Sequence, residues 1–404
     1  METVKFKNGV TLVTEKFYNI RSVAAGIYVK NGSLNETAQQ NGISHFIEHM
    51  LFKGTKNRSA RQLAIEMDRA GGQLNAYTTK EYTCFYTKVL DDCFENAFDI
   101  LADMYFNSVF DENEIRRERG VIDEEIDMYE DTPDDLVHDN LQNAVWRGTG
   151  LGRTVLGTHE SISHFTHDTF TDYMQKNYRP DNTVISVAGN IDHEAVAKLA
   201  EKYFGAYYRE NTAEKIKNDN IYTPSVVTCK KEIEQQHICI AFRGVSQHSA
   251  DIQTMTLLNT ILGGSMSSLL FQKVREEQGL AYSIYSYHSV YADSGLFSVY
   301  AGFNRENHDS VKKTVFDVLY GFSSGFDDEA AVKDAKQQLI NNYLMGLENT
   351  STVMGANGRA MLIKGRVNTR EEAVAKIQGI SIGMLKDLAG RIFLEGSESI
   401  SVVG

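Results

Sequence analysis

His45-Phe46-Ile47-Glu48-His49 puts two imidazoles and a carboxylate within five residues. The run 39–52 around them has helical apolar spacing and stops at Lys53-Gly54, which predicts a helix. Residues four apart share a helix face, so His45 and His49 can both ligate one Zn²⁺ at ~2.0–2.1 Å. Glu48 projects beside them and can accept a proton from a metal-bound water without being a ligand. A catalytic zinc needs a third protein ligand and one open position. The acidic run 112–129, also predicted helical, offers Glu118, Glu124 and Glu125. Glu118 and Glu125 are seven apart, close to two turns, so both face the same way. One can bind metal while the other supports it from behind. Composition and spacing leave the choice among the three open.

The elements that must position these residues follow from punctuation and periodicity. Strand-like runs at 4–6 and 11–13 flank Asn8-Gly9, a hairpin signal. A β-like run at 21–29 precedes the histidine-bearing helix. A helix over 60–70 closes at Gly71-Gly72, strands follow at 74–76 and 82–89, and helices at 93–106 and 112–129. Helix, helix, strand, helix are predicted at 140–146, 167–176, 183–187 and 194–204. A polar stretch, 208–225, reads as a linker. The second half repeats the grammar, with strands at 226–229, 238–242, 282–290 and 296–301 and helices at 253–262, 266–276, 308–322 and 329–349. The end of each half, a helix and then a hydrophobic strand, recurs after about 200 residues, which indicates an internal duplication. The expected class is α+β, with two structurally similar halves, each a mainly antiparallel sheet packed with helices on one face. The expected domains are 1–215, carrying the metal motif, and 216–404.

His45 to His49, continued by Met50-Leu51-Phe52-Lys53-Gly54-Thr55, resembles the inverted motif of the zinc peptidases that include pitrilysin, insulin-degrading enzyme and mitochondrial processing peptidase. Three further stretches extend the resemblance in the family's order. They are Glu118-Arg119-Gly120-Val121-Ile122-Asp123-Glu124-Glu125, Leu151-Gly152-Arg153-Thr154-Val155-Leu156-Gly157, and Arg275-Glu276-Glu277-Gln278-Gly279-Leu280-Ala281-Tyr282. The resemblance spans nearly the whole chain and is strongest to bacterial two-domain members of the processing-peptidase type. It implies one Zn²⁺ on His45, His49 and Glu125, with Glu118 as helper and Glu48 as general base. It implies Arg275 and Tyr282 as substrate-binding residues. It also matches Gly71 to Tyr77 to an edge strand to which an extended peptide adds by main-chain hydrogen bonds at Asn75 and Ala76. The implied activity is a zinc endopeptidase acting on unfolded peptides or short segments inside a closed chamber. The alternatives are a non-catalytic partner subunit and, last, a small-molecule lyase with the same motif. Because one chain carries a single pair of domains, the resemblance implies that a second copy or a different subunit completes the site, and a homodimer with two shared sites is the economical expectation.

The charge balance is consistent with these readings. The formal net charge of −13 argues against nucleic acid as a partner. No apolar run approaches the ~18 residues of a membrane helix. Residues 1–8 are charged and lack a signal-like hydrophobic segment, so a cytoplasmic protein without a membrane partner is expected. Cys84, Cys93, Cys229 and Cys239 form no C-x-x-C pair and are expected to be reduced.

Overall fold

In the computed structural model, which describes residues 1–210 and 220–404, the Asn8-Gly9 signal falls between strands β1 (Glu2–Lys5) and β2 (Thr11–Lys16). The connecting loop is five residues, longer than a two-residue turn, and Phe6 donates its N–H to the Val10 carbonyl at 2.9 Å to close it. Strands β3 (Ser22–Val29), β4 (Gln73–Thr78), β5 (Thr83–Leu90) and β6 (Thr183–Gly189) complete a sheet ordered β1-β2-β6-β3-β5-β4. All its pairings are antiparallel except β2 with β6. Between the strands lie α1 (Ile43–Leu51), α2 (Ala60–Arg69) and α3 (Phe94–Asn107), and α4 (Glu112–Asp131) follows.

β3 reads Ser-Val-Ala-Ala-Gly-Ile-Tyr-Val and shows little alternation because both its faces are covered. Val23, Ala25, Ile27 and Val29 share one core with Phe46 and Ile47 of α1 and Phe98 and Leu101 of α3. Ala24 and Tyr28 point the other way and meet Val353 and Met354 of a helix, Thr350–Lys364, that comes from the second half of the sequence. Gly358 of that helix lies against Tyr28, and a Cβ there would sit 2.3 Å from the ring.

The second unit has strands β7 (Val226–Cys229), β8 (Gln235–Arg243), β9 (Ser283–Val290), β10 (Gly295–Asn304) and β11 (Ser399–Val403), ordered β7-β11-β8-β10-β9. Again one pair, β7 with β11, is parallel and the rest are antiparallel. Ile238, Ile240 and Phe242 of β8 join the core formed with the helices Ile252–Gly263, His308–Gly325 and Ile382–Ile392. Against the other face packs α5 (Pro133–Val145), which comes from the first half. Its His138 Nδ1 hydrogen-bonds the Tyr287 hydroxyl at 2.7 Å.

The class is α+β with two similar halves, and each sheet carries its own helices on one face. The sequence did not anticipate that the opposite face takes one helix from the other half. The compact units therefore do not follow a single cut. Asp127–Gly152 joins the second unit and Met345–Asn368 joins the first. The cut between 215 and 216, and residues 211–219 of the linker predicted over 208–225, lie outside the described residues. Three local boundaries also differ. α1 starts at Ile43 because Gly42 has φ +92°, which ends any earlier helix. α5 starts seven residues before the predicted 140, at Pro133, a residue suited to a first helical position. The helix predicted over 266–276 is a π-helical segment, Phe271–Glu277. Among the described residues no helix is long and apolar enough to cross a membrane, and all four cysteines are free thiols.

Candidate metal centre

α1 is held by its apolar residues. Ile43, Phe46, Ile47, Met50 and Leu51 are buried, and Phe46 packs edge-on against Phe165 and Phe170. This leaves His45, Glu48 and His49 on the remaining face. The two imidazoles lie one turn apart, with ring centroids separated by 4.5 Å. α4 is anchored by Ile115, Ile122 and Ile126, which turns Glu118 and Glu125 toward α1.

Glu125 Oε2 lies 3.7 Å from His45 Nε2 and 3.8 Å from His49 Nε2. One ligand atom from each of these three residues lies within 4.8 Å of the others. Three tetrahedral bonds of ~2.1 Å require ligand atoms about 3.4 Å apart, so the set fits a zinc ion with a small contraction. The donor chemistry also fits. Burial, and next the neighbouring His49, push the His45 pKa down to about 3, so its ring is neutral at physiological pH, as a metal ligand must be.

Glu118 is not in this set; it sits behind it. Its Oε1 is 2.9 Å from His49 Nδ1, and its other oxygen takes an ion pair from Lys53. Burial alone would raise the Glu118 pKa, but the bonds to His49 and Lys53 outweigh it and hold the carboxyl below its ordinary value. An ionised Glu118 only accepts, so His49 carries its proton on Nδ1 and turns the Nε2 lone pair toward Glu125.

Glu48 also stays outside the three-atom set. Its Oε2 accepts a hydrogen bond from Thr78 Oγ1 at 2.6 Å. Burial raises its pKa and the Thr78 bond opposes the rise. Lys53 and Thr78 were not foreseen as site residues. The available signals were weak: Lys53 is one turn after His49, and Thr78 lies two residues beyond Ala76 on the same strand.

Asn75 and Ala76 are on β4, the edge of its sheet, paired with Tyr86 and Phe85 of β5. The Ala76 N–H donates to Asn75 Oδ1 at 2.8 Å, so a side chain engages this amide. Beside the strand is a cleft of about 620 Å³ lined by Phe52, Leu63, Met67, Leu74, Asn75 and Tyr86. Arg275 and Tyr282 belong to the second unit and form their own pair. The guanidinium stands 5.1 Å from the Tyr282 ring and 4.9 Å from Phe271, and Tyr282 is 76% exposed. Arg275 lies on the π-helical segment, a rare geometry that recurs at functional sites.

Residues 11–159 match the family model described as Insulinase (Peptidase family M16), and residues 164–339 match the Peptidase M16 inactive domain. A Bacillus subtilis relative named uncharacterized zinc protease YmxG is 43% identical over 389 residues, covering 96% of this chain and 95% of its own. A Rickettsia felis relative, also named an uncharacterized zinc protease, is 35% identical over 390 residues, covering 96% and 94%. Among solved structures, a protease from Helicobacter pylori superposes with a TM-score of 0.92 over 100% of this chain and 98% of that one, at 20% identity, a likeness of fold.

Proposed function

Because the chain belongs to the insulinase family of peptidases, we propose that it is a zinc-dependent endopeptidase that hydrolyses unfolded peptides or short protein segments. The observation that carries this is the closed set His45, His49 and Glu125 with a second carboxylate, Glu48, left beside it and uncommitted to the metal. A zinc ion held by His45, His49 and Glu125 would supply Lewis acidity toward a peptide carbonyl and toward water. The chain's own residues do the rest. Glu118 holds His49 in one tautomer. Glu48 takes a proton from the attacking water on its carboxylate and returns it to the leaving amine, so the carboxylate is regenerated. Thr78 holds one oxygen of Glu48 and leaves the other for that proton. The open edge of β4 pairs with the substrate backbone, which recognises extended chain rather than a particular sequence. The cleft beside it accepts a substrate side chain.

The second half has no H-x-x-E-H pattern, so each chain carries one such centre. Arg275 and Tyr282 act on the substrate from a second copy, in a homodimer whose enclosed space excludes folded proteins. Their exposed, mutually stacked arrangement supports this reading.

The test is cleavage of a quenched fluorescent peptide by the purified chain. Cleavage that a chelator abolishes and zinc restores is the expected result. A chain that binds zinc stoichiometrically yet cleaves no unfolded substrate would instead point to the non-catalytic subunit. Mixing inactive Glu48→Gln with inactive Tyr282→Phe chains should restore partial activity if sites are shared between copies.

A further inference from the structure

Glu36 is 0% exposed, and no step above uses it. It lies in the turn ahead of α1, and its carboxylate faces the start of that helix. Oε2 accepts from the Gly42 N–H at 2.8 Å and from Asn41 Nδ2 at 3.2 Å; Oε1 accepts from the Ser44 N–H at 2.9 Å. These three partners are all donors, the arrangement that suits an ionised carboxylate. Burial pushes the Glu36 pKa up and the Ser44 and Gly42 N–H groups oppose that rise.

The position explains why a remote residue is needed. A helix start leaves N–H groups without partners, and a Ser, Thr, Asp or Asn at the capping position usually satisfies one of them. Here that position is Gly42, and it cannot be changed. Its φ is +92°, and a Cβ would lie 2.5 Å from the Leu156 carbonyl and 2.8 Å from Gly157 Cα. Gly157, at φ +85°, is closed to a side chain by Asn41 and Gly42 in the same way. The two glycines let the segment after Arg153 cross the helix start at contact distance. Arg153 donates to the Glu36 carbonyl, Asn41 Nδ2 donates to the Thr154 carbonyl at 2.9 Å, and Ser161 Oγ donates to the Asn41 carbonyl at 2.7 Å. His45 is the third residue of α1 and so sits in the first turn, where helices fray.

We propose that Glu36 is a positioning residue of the metal centre: it caps α1 in place of Gly42, and with the Arg153–Gly157 segment it clamps the first turn so that His45 keeps its alignment with His49 and Glu125. This rests on the metal assignment above. It gives a purpose to the Arg153 to Gly157 stretch, which the catalytic steps leave unused.

The experiment titrates Co²⁺ into metal-free wild type, Glu36→Gln and Asn357→Ala, and records the visible absorption of the bound ion. Asn357 donates to Glu15 from the helix on the opposite sheet face, so its variant reports destabilisation that does not reach α1. Glu36→Gln is expected to bind Co²⁺ at least ~10-fold more weakly, with an altered spectrum, the scale seen when groups behind a metal ligand are removed. Its kcat should fall while KM stays near wild type, and Asn357→Ala should keep wild-type affinity. A folded Glu36→Gln with wild-type affinity and spectrum overturns the proposal, as does an equal loss in Asn357→Ala. If Glu36→Gln does not fold, Asn41→Ala decides: about threefold weaker binding supports the clamp and unchanged binding overturns it. Wild type that binds no Co²⁺ overturns the metal assignment itself, whereas normal wild-type binding with an unaffected Glu36→Gln overturns only the clamp.

Discussion

The helix that follows β3 and the helix that follows β8 occupy equivalent places in two similar halves, yet only one carries a set of candidate metal ligands. α1 offers His45, Glu48 and His49 on the face its core residues leave free. Its counterpart, Ile252–Gly263, reads Ile-Gln-Thr-Met-Thr-Leu-Leu-Asn-Thr-Ile-Leu-Gly, has no ionisable side chain, and buries eight of its twelve residues. Apart from the extra edge strand β1 of the first sheet, the sheet order and the single parallel pair are shared. The duplication therefore specifies where a helix sits, and side-chain identity alone decides whether that place can bind a metal.

The sharpest way to break the comparison is to make α1 as inert as its counterpart without disturbing its shape. Glu48→Gln should leave zinc stoichiometry intact and lower kcat by at least ~10²-fold, because the amide has no basicity at neutral pH. Metal analysis and peptide turnover on one preparation check both halves of that statement. Glu118→Gln removes the charge that sets the His49 tautomer, and zinc affinity should weaken ~10–100-fold, read by competition with a chromophoric chelator. A variant with wild-type affinity would show that His49 needs no support from α4.

Two smaller effects compare the exchanged helices. Gly358→Ala drives a Cβ toward the Tyr28 ring in the first unit, and overpacking of this kind costs roughly 1–3 kcal/mol, read as a lower midpoint in urea. In the second unit, α5 buries His138 among Tyr285, Tyr287 and Tyr300, with His237 and Cys239 on the neighbouring strand. Burial lowers the His138 pKa to about 4, while Asp134 pulls it upward. A folded-state pKa below the unfolded value of ~6.5 means the stabilisation is complete above that value and is lost as pH falls toward 4. The ring is only half-buried, so solvent screening brings the loss to about 2 kcal/mol, below the full value of the shift. His138→Gln should flatten that part of the stability profile, measured by thermal unfolding between pH 7 and 4.

Much of the first unit was legible because its signals are local. His45 and His49 at helical spacing, the Gly71-Gly72 stop after α2 and the strand runs at 82–89 and 183–187 depend on neighbours within a few residues. The helix Thr350–Lys364 was not legible. It contains β-branched residues and two glycines, so its intrinsic helix propensity is poor, and it forms where Val353, Met354 and Gly358 dock on Tyr28 and its neighbours. α5 was half legible. Its second part has apolar spacing, but its polar start, Pro-Asp-Asp, reads as a turn unless the sheet beneath it is known.

The sequence by itself determined the metal-binding pattern on α1, the acidic helix facing it and the two-fold repeat of strands and helices. Each follows from the period of a helix or a strand, and period is a property of residues close in the chain. Helical spacing left the choice among Glu118, Glu124 and Glu125 open, and the resemblance named Glu125 as ligand and Glu118 as helper; only the tertiary structure put Lys53 beside Glu118, brought Thr78 to Glu48 and Glu36 to the start of α1, and exchanged one helix between the halves. These partners come from separate elements. Such meetings are set by how buried faces pack and how buried polar groups find donors, and no local period records that.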